Sequence, residues 1–158
     1  MKIVAVSENE WLDLKKVRLA SLKEAPAAFA IRYGDAIEFS DNEWKQRASG
    51  KNGPKFFIAY VFGEAVGLIG GVFTNDEFEL ISMWVAPDHR GTGVGEGLVQ
   101  VLQNYARGEG HTAIVLMVSP SNKQACGLYQ KCGFEVFGGD GLLANNDSIE
   151  LQRMEWLT

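Results

Sequence analysis

Two spacings of apolar residues recur along the chain and together predict a mixed α/β protein. Between residues 11 and 23 apolar side chains return every three or four positions with charges between them, as on an amphipathic helix. Residues 56–62 and 78–85 are short apolar runs, as in buried strands. Continued along the chain, the pattern predicts strands at 2–6, 56–62, 65–74, 77–85, 112–118, 133–137 and 149–156, and helices at 11–23, 40–49, 93–107 and 122–131.

The element order is β-α-α-β-β-β-α-β-α-β-β, with about seven strands and about four helices. The strands between residues 56 and 85 follow one another through short turns, so we expect them to be antiparallel. The strand–helix–strand unit at 77–118 is a crossover, so its two strands should be parallel neighbours. The order predicts an α/β fold of the α+β type, a mixed sheet with helices packed on it. Because no repeat or linker interrupts the chain, residues 1–158 are interpreted as a single domain.

Short-range signals indicate where some of these elements begin and turn. Ser40 and Glu43 have the spacing of a helix capping box. Ser121 is expected to cap the helix at 122–131. Gly63 and Glu64 are expected to form a two-residue hairpin connection with glycine first.

The stretch between the strand ending at Val85 and the helix beginning near Gly93 predicts an anion site. Its sequence is Arg90-Gly91-Thr92-Gly93-Val94-Gly95-Glu96. Glycine lets the backbone turn tightly and approach a ligand. The helix start offers unpaired N–H groups and the positive end of its dipole. These features suit phosphate or pyrophosphate, with Arg90 as a charged partner, and the alternative is a glycine-rich connection without a ligand.

The glycine spacing excludes two common phosphate motifs. A dinucleotide fingerprint would need glycine where Glu96 or Leu98 stands, and no Walker G-K-[ST] sequence is present. The pattern that fits is R-x-x-G-x-G, formed by Arg90, Gly93 and Gly95.

A second motif, residues 122–134, fits N-x-x-A-x-x-L-Y-x-K-x-G-F. With both motifs and this element order, the chain resembles the GCN5-related N-acetyltransferase (GNAT) family. The resemblance covers nearly the whole chain, but its specific motifs lie between Phe78 and Phe134. It implies the GNAT acyl-CoA N-acyltransferase fold and acetyl-CoA as co-substrate.

In the family the glycine loop wraps the pyrophosphate of acetyl-CoA. The preceding strand splays from its neighbour, so that backbone groups pair with pantetheine and a backbone N–H polarises the acetyl carbonyl. The asparagine that opens the second motif contacts the pantetheine arm. The residues implied to bind acetyl-CoA are Met83, Trp84, Val85, Arg90, Gly91, Thr92, Gly93, Val94, Gly95, Glu96, Asn122, Ala125 and Tyr129.

The resemblance also implies catalytic roles. The family tyrosine, here Tyr129, points at the CoA sulfur, where a phenol can protonate the leaving thiolate as general acid. Its alternative is a core tyrosine. Glu79 aligns with the base of several family members and Glu77 lies two residues earlier on the same strand face. Either could instead be solvated, and some members use a water relay in place of one base.

The activity implied is acetyl transfer from acetyl-CoA directly to a primary amine of a small molecule or peptide, in a ternary complex. It needs no covalent enzyme intermediate and no metal. A non-catalytic CoA-binding or CoA-sensing module is the alternative, and a nucleotide-phosphate binder is a third. The acceptor pocket is expected from residues 24–38, the loop after Val118 and residues 138–148. Phe29, Tyr33, Phe39 and Trp44 would line this pocket or pack in the core.

Composition and charge limit the classes of partner that the chain is expected to bind. The formal net charge is −5 and no basic cluster is present, which argues against a nucleic-acid partner. No apolar run approaches the roughly 20 residues that span a membrane, and residues 1–7 do not form a signal peptide. We therefore expect a cytoplasmic protein without a membrane partner. The two cysteines and two histidines match no zinc pattern. The family resemblance is compatible with a homodimer.

Overall fold

The computed structural model of the chain describes residues 1–25, 31–51, 53–137, 143–146 and 149–158. Its elements occur in nearly the predicted order, so the predicted mixed α/β fold is confirmed. A short helix, α2, and a short strand, β7, are added where loops were expected. The strands are β1 (Lys2–Ala5), β2 (Lys55–Val61), β3 (Glu64–Thr74), β4 (Glu77–Val85), β5 (Ala113–Val118), β6 (Glu135–Val136), β7 (Leu143–Asn146) and β8 (Ile149–Leu157). The helices are α1 (Trp11–Glu24), α2 (Tyr33–Ala36), α3 (Asp41–Ser49), α4 (Val94–Gly108) and α5 (Lys123–Lys131).

The strands form one mixed sheet in the order β1-β2-β3-β4-β5-β8-β6, and β7 pairs with β8. Strands β1 to β4 are antiparallel neighbours, as predicted. Strands β4 and β5 are parallel, as the crossover through α4 requires. Strand β8 lies between β5 and β6 and is antiparallel to both.

Helices cover the two faces of the sheet unequally. On one face, α4 and α5 bury the side chains of Phe78 and Leu80 from β4. On the other face, α1 and α3 pack on β2, β3 and the end of β4, where Trp84 is buried. Each fully buried aliphatic side chain contributes about 1.5–3 kcal/mol to folding. The part of the second face formed by β5 and β8 contributes no residue to the core under α1 and α3 within the described ranges.

The helix starts follow local hydrogen bonding, and one predicted cap is wrong. The box of Ser40 and Glu43 is confirmed, since the Glu43 N–H donates to Ser40 Oγ at 3.1 Å. For α5 the cap is Asn122, whose Oδ1 accepts from the Ala125 N–H at 3.1 Å. The Ser121 hydroxyl is instead hydrogen-bonded to that of Ser119 at 2.8 Å.

The predicted β2–β3 connection is also wrong by one residue. Val61 pairs with Glu64, so the two-residue turn is Phe62-Gly63 and not Gly63-Glu64. Both turn residues have positive φ, 50° at Phe62 and 79° at Gly63. This is the pattern of a type I′ turn, which matches the twist of antiparallel strands. The register of the buried strands therefore overrides the local cost of a positive φ at phenylalanine.

Candidate active site

A β-bulge interrupts β4 immediately before the glycine loop. Gly70 pairs with Ile81 and Leu68 pairs with Trp84, so Ser82 and Met83 together face one residue of β3. Ser82 adopts φ 58°, which is unusual for a residue other than glycine. Residues three apart on a regular strand point to opposite faces, yet Leu80 and Met83 both join the core beneath α4 and α5. The bulge therefore turns Met83 toward α5 and Trp84 toward α1.

Beyond the start of the bulge, β4 and β5 part. Their ladder has one registered pair, Glu79 with Val115, in this fully described part of the chain. By contrast, β4 stays paired with β3 from Glu77 to Val85. Register is thus absent on both sides of this pair, and the bulge and the glycine loop follow on the side where the family resemblance implies that the strands separate.

The glycine loop joins this opening to the start of α4. A 3₁₀ turn at Pro87–His89 follows β4, and α4 begins at Val94 with Gly93 as its N-cap residue. Gly91 and Gly93 have φ of 75° and 93°, and a Cβ at either would meet no atom within 4 Å. These glycines are needed for backbone conformation, and the space beside them is open. The α4 N–H groups are thus accessible to an anion.

Gly95 has a different role. A Cβ there would lie 3.0 Å from Leu128 Cδ2 and 3.4 Å from Met83 Cε. The missing side chain brings the first turn of α4 close to α5 and to the bulge. This glycine holds the two motif-bearing helices together and does not itself require a ligand.

The polar side chains of the loop are engaged within the protein. Arg90 Nε donates to the Val85 carbonyl at 2.9 Å, and its guanidinium forms an ion pair with Glu24 at the end of α1. Thr92 Oγ1 donates to the His89 carbonyl at 2.5 Å. The anion donors that the loop presents are therefore its backbone N–H groups.

Glu96 lies in the first turn of α4 and bridges to the second motif. Its carboxylate is 3.0 Å from Lys131 Nζ at the end of α5. The Lys131 side chain is 68% exposed. Through this ion pair Glu96 thus links the first turn of α4 to the end of α5.

Tyr129 is buried on α5, and its ring lies 5.8 Å from that of Phe134. Burial raises the pKa of its phenol above the ordinary value, with smaller contributions from Cys126 and Cys132. The phenol therefore stays protonated at neutral pH. Its hydroxyl has no hydrogen-bond partner among the described residues, which leaves the proton available to a ligand atom.

The two cysteines flank Tyr129 and both are free thiols. Cys126 Sγ lies 3.6 Å from the Ser119 carbonyl, and Cys132 follows the last residue of α5. Burial raises the pKa of the Cys132 thiol, which disfavours the reactive thiolate.

Glu79 lies on the face of β4 opposite Tyr129. A cavity of about 190 Å³ opens beside it on the uncovered part of the sheet. Partial burial and the neighbouring Glu77 raise the pKa of Glu79, while Arg153 opposes this shift. The residues that line the cavity are Thr74, Asn75, Glu77, Glu79, Val115, Met117 and Arg153.

Glu77 and Arg153 form a bidentate ion pair in that cavity. Arg153 Nη1 donates to Glu77 Oε1 at 3.2 Å, and Nη2 pairs with Oε2. This contact lowers the pKa of Glu77, so Glu77 stays ionised, and its negative charge is balanced by the Arg153 guanidinium. Of the two candidate bases, Glu79 is the one without a hydrogen-bonding partner among the described residues.

Tyr129 and Glu79 are not in contact, because they lie on opposite faces of the sheet beside the opening between β4 and β5. Met83 and Val85 pack toward the Tyr129 side, and Trp84 is buried on the other.

Several expected acceptor residues have other roles. Trp44 is 2% exposed and packs edge-on against Phe39 at 5.7 Å, so both belong to the core under α1 and α3. Tyr33 packs against the same core. Phe29 and the stretch 138–142 lie outside the described residues.

Sequence reasoning missed Arg153, Val115 and Met117. The signal available was alternation in the last strand, where Arg153 and Glu155 share a face that is opposite to buried Met154 and Trp156. Within the described ranges no helix has the length and apolarity of a membrane span. The same ranges hold no cluster of three or more potential metal ligands.

Comparison with known proteins identifies relatives of this chain. The sequence model of the acetyltransferase (GNAT) family matches residues 19–134, more than half of the chain. N-acetyltransferase 8 of Rattus norvegicus is 30% identical over 110 residues, which are 66% of this chain and 47% of that protein. N-acetyltransferase 8B of Homo sapiens is 32% identical over 92 residues, 54% of this chain and 40% of that protein. The chain spans less than half the length of these two curated relatives.

Solved structures show the same fold. A GNAT-family acetyltransferase from Streptococcus pneumoniae superposes with a TM-score of 0.80 at 19% identity, covering 99% of both chains. The PaiA N-acetyltransferase of Thermoplasma acidophilum, solved with coenzyme A, gives a TM-score of 0.72 at 17% identity over 100% of both chains. The family match, the two motifs and the shared fold agree with the resemblance first inferred from the residues, and the chain belongs to the acetyltransferase (GNAT) family.

Proposed function

We propose that this protein is an acetyl-CoA-dependent N-acetyltransferase that moves the acetyl group directly to a primary amine of a small molecule or peptide, in a ternary complex. The observation that carries the proposal is the opening between β4 and β5. At one end it meets the accessible N–H groups of the glycine loop. Across it, a protonated phenol and an unpartnered carboxylate lie on opposite faces of the sheet.

In this proposal the loop from Arg90 to Glu96 holds the pyrophosphate through backbone N–H groups at the start of α4. The backbone of Met83, Trp84 and Val85 pairs with the pantetheine arm. Asn122 and Ala125 contact the same arm from the start of α5. Asn122 Oδ1 already caps α5, so the amide nitrogen of Asn122 is the atom left to contact the arm.

The proposed acetyl transfer uses two protein groups, Glu79 as base and Tyr129 as acid. Glu79, directly or through water, takes a proton from the amine, because a protonated amine has no lone pair. The nitrogen attacks the thioester carbon, and the tetrahedral intermediate collapses with cleavage of the C–S bond. Tyr129 gives its proton to the departing sulfur, and the second proton that the acetylated nitrogen must lose passes through water to the Tyr129 phenolate, which restores the acid. The products are the N-acetylated amine and free CoA thiol.

The acceptor is expected in the cavity beside Glu79. Two carboxylates line it, Glu77 and Glu79, and Glu155 on β8 also acts electrostatically on the Arg153 guanidinium. Their excess negative charge suits an ammonium group before it is deprotonated. The apolar side chains of Val115 and Met117 suit a carbon chain next to the amine.

The first experiment is thermal unfolding with acetyl-CoA, CoA and ATP at matched concentrations. A ligand that binds only the folded state stabilises it by about 2.7 kcal/mol at a hundredfold excess over Kd. We expect a higher Tm with both CoA compounds and no change in Tm with ATP. Equal shifts with ATP and CoA would contradict the assignment of the loop.

The second experiment is a screen of primary amines for CoA thiol release from acetyl-CoA. We expect release with at least one amine, and mass spectrometry should show an added acetyl group on that amine. CoA binding without release by any amine would favour the alternative, a protein that binds CoA without turnover.

A further inference from the structure

The Glu77–Arg153 ion pair spans a whole strand of the sheet. Glu77 is on β4 and Arg153 is on β8, with β5 between them. Two strands so separated lie about 10 Å apart, so the two side chains must extend toward each other over β5. Arg153 is in register with Met117 of β5, and the pair shares its cavity with Val115 and Met117. The guanidinium therefore lies across the floor of the cavity.

This pair lies beside Glu79. Glu77 and Glu79 are two residues apart on one face of β4, and Arg153 acts electrostatically on both of them. The charged groups on this face of the described strands are Glu77 on β4 and Arg153 and Glu155 on β8, of which Glu77 and Arg153 act on Glu79. Val72 of β3 and Val115 of β5, which pair with Glu79, carry no charge. Glu79 thus receives one repulsion and one attraction.

We propose that Glu77 and Arg153 are positioning residues for Glu79: their ion pair fixes a guanidinium beside it and cancels the nearest like charge, so that Glu79 stays ionised in a half-buried site. This inference rests on the proposed function, in which Glu79 is the base. An ordinary surface ion pair would instead contribute little beyond stability. The proposal predicts pKa shifts of Glu79 with opposite sign when each member of the pair is removed, whereas an ordinary surface ion pair predicts no shift.

The test uses the two members of the pair separately. Arg153→Gln removes the attraction and leaves Glu77 uncompensated, so the pKa of Glu79 should rise. Glu77→Gln removes the repulsion and frees Arg153 to attract Glu79, so that pKa should fall. For partly exposed groups we expect shifts of about 0.5–1 pH unit in each direction. Arg153→Lys keeps the charge and should restore most of the value.

Two readouts keep the proposal separable from the base assignment. One is the acidic limb of the pH profile of kcat/KM, which should move in the same direction as the pKa. The other is titration of the Glu79 carboxyl by ¹³C NMR, with its signal assigned by its absence from Glu79→Gln. NMR shifts of opposite sign with an unmoved kinetic limb would refute Glu79 as the base but retain the positioning role.

A charge-matched control is Glu64→Gln, at the opposite end of β3 from the cavity and exposed. It should leave both readouts unchanged. Shifts of the same sign in Arg153→Gln and Glu77→Gln, or no shift in either, would overturn the proposal. If Arg153→Gln or Glu77→Gln is unfolded in a thermal scan, Arg153→Lys takes its place. The proposal then requires that the pKa of Glu79 in Arg153→Lys stay close to the wild-type value.

Discussion

The Arg90 guanidinium is bonded to the carboxylate of Glu24, which lies 66 residues earlier in the chain. This contact joins the glycine loop to the end of α1. Arg90 is also held by the Val85 carbonyl, so the cation is already occupied on the side away from the loop. A pyrophosphate that recruits Arg90 must therefore compete with Glu24.

Replacing Glu24 by Gln should strengthen acetyl-CoA binding, because it releases Arg90 toward the pyrophosphate. An exposed ion pair is worth about 0.2–1 kcal/mol, so the gain should be at most about fivefold in Kd. Titration calorimetry at low salt measures the Kd for acetyl-CoA in both proteins. Asp41→Asn, which removes an equal charge from the exposed pair with Lys15, is the control. Equal gains in both variants would assign the effect to net charge alone.

Replacing Tyr129 by Phe should lower kcat about a hundredfold, because the thiolate loses its proton donor. The ring and its packing on Phe134 are retained, so KM for acetyl-CoA and the Tm should change little. Steady-state assay of thiol release measures the rate. If kcat were unchanged, Tyr129 would be a core residue and not the acid.

Replacing Glu79 by Gln should lower kcat/KM most at pH values above the pKa of Glu79, because the wild-type carboxylate acts as a base only when it is ionised; below that pKa the two rates should converge. Because the pKa of Glu79 is raised, wild-type kcat/KM should fall through an acidic limb above the ordinary glutamate range. The variant should lack that limb. A pH profile parallel to the wild type would indicate a water relay without Glu79.

Replacing Gly93 by Ala should destabilise the protein by about 1–2 kcal/mol, because φ is 93° there. It should also weaken acetyl-CoA binding by about tenfold or more, a loss near 1.4 kcal/mol. Gly127→Ala is the matched control: it lies inside α5 with no atom within 4 Å of the added Cβ. That change should stabilise by about 0.5–1 kcal/mol and leave binding intact.

Replacing Ser82 by Gly should preserve the bulge and activity, because glycine adopts φ 58° freely. Ser82→Val should destabilise the protein by about 2 kcal/mol and reduce turnover, since a β-branched residue opposes that conformation. Chemical denaturation and kcat measure the two effects. Full stability of Ser82→Val would mean that the strand can adopt the regular register.

Much of the fold could be predicted because its elements carry local signals. The capping box at Ser40 and the helical spacing of α1 depend on residues within one or two turns. The turn at Phe62 could not be predicted this way, because cross-strand pairing of Val61 with Glu64 decided it. The cap of α5 depended on the residue at which the helix begins, since a start at Lys123 makes Asn122 the N-cap residue and not Ser121.

The site shows the same division between local and distant causes. The glycine loop and Tyr129 lie in contiguous motifs, so both could be located from the residues. The bulge at Ser82 did leave a mark: the alternation of Glu77 and Glu79 with Phe78 and Leu80, if continued, would put polar Ser82 on the core face. It was missed because residues 78–85 were interpreted as one apolar run. The contact between Arg153 and Glu77 could not be predicted, because 76 residues separate them and only the order of strands in the sheet brings them together.

The position of β8 between β5 and β6 has a consequence for synthesis on the ribosome. Strand β5 carries the wall of the site, yet one of its edges stays unpaired until residues 149–157 leave the exit tunnel. Since domains fold as units during translation, the nascent chain must carry an open, apolar strand edge for some time. Chaperones that bind exposed strands would therefore meet this protein chiefly through Ala113–Val118.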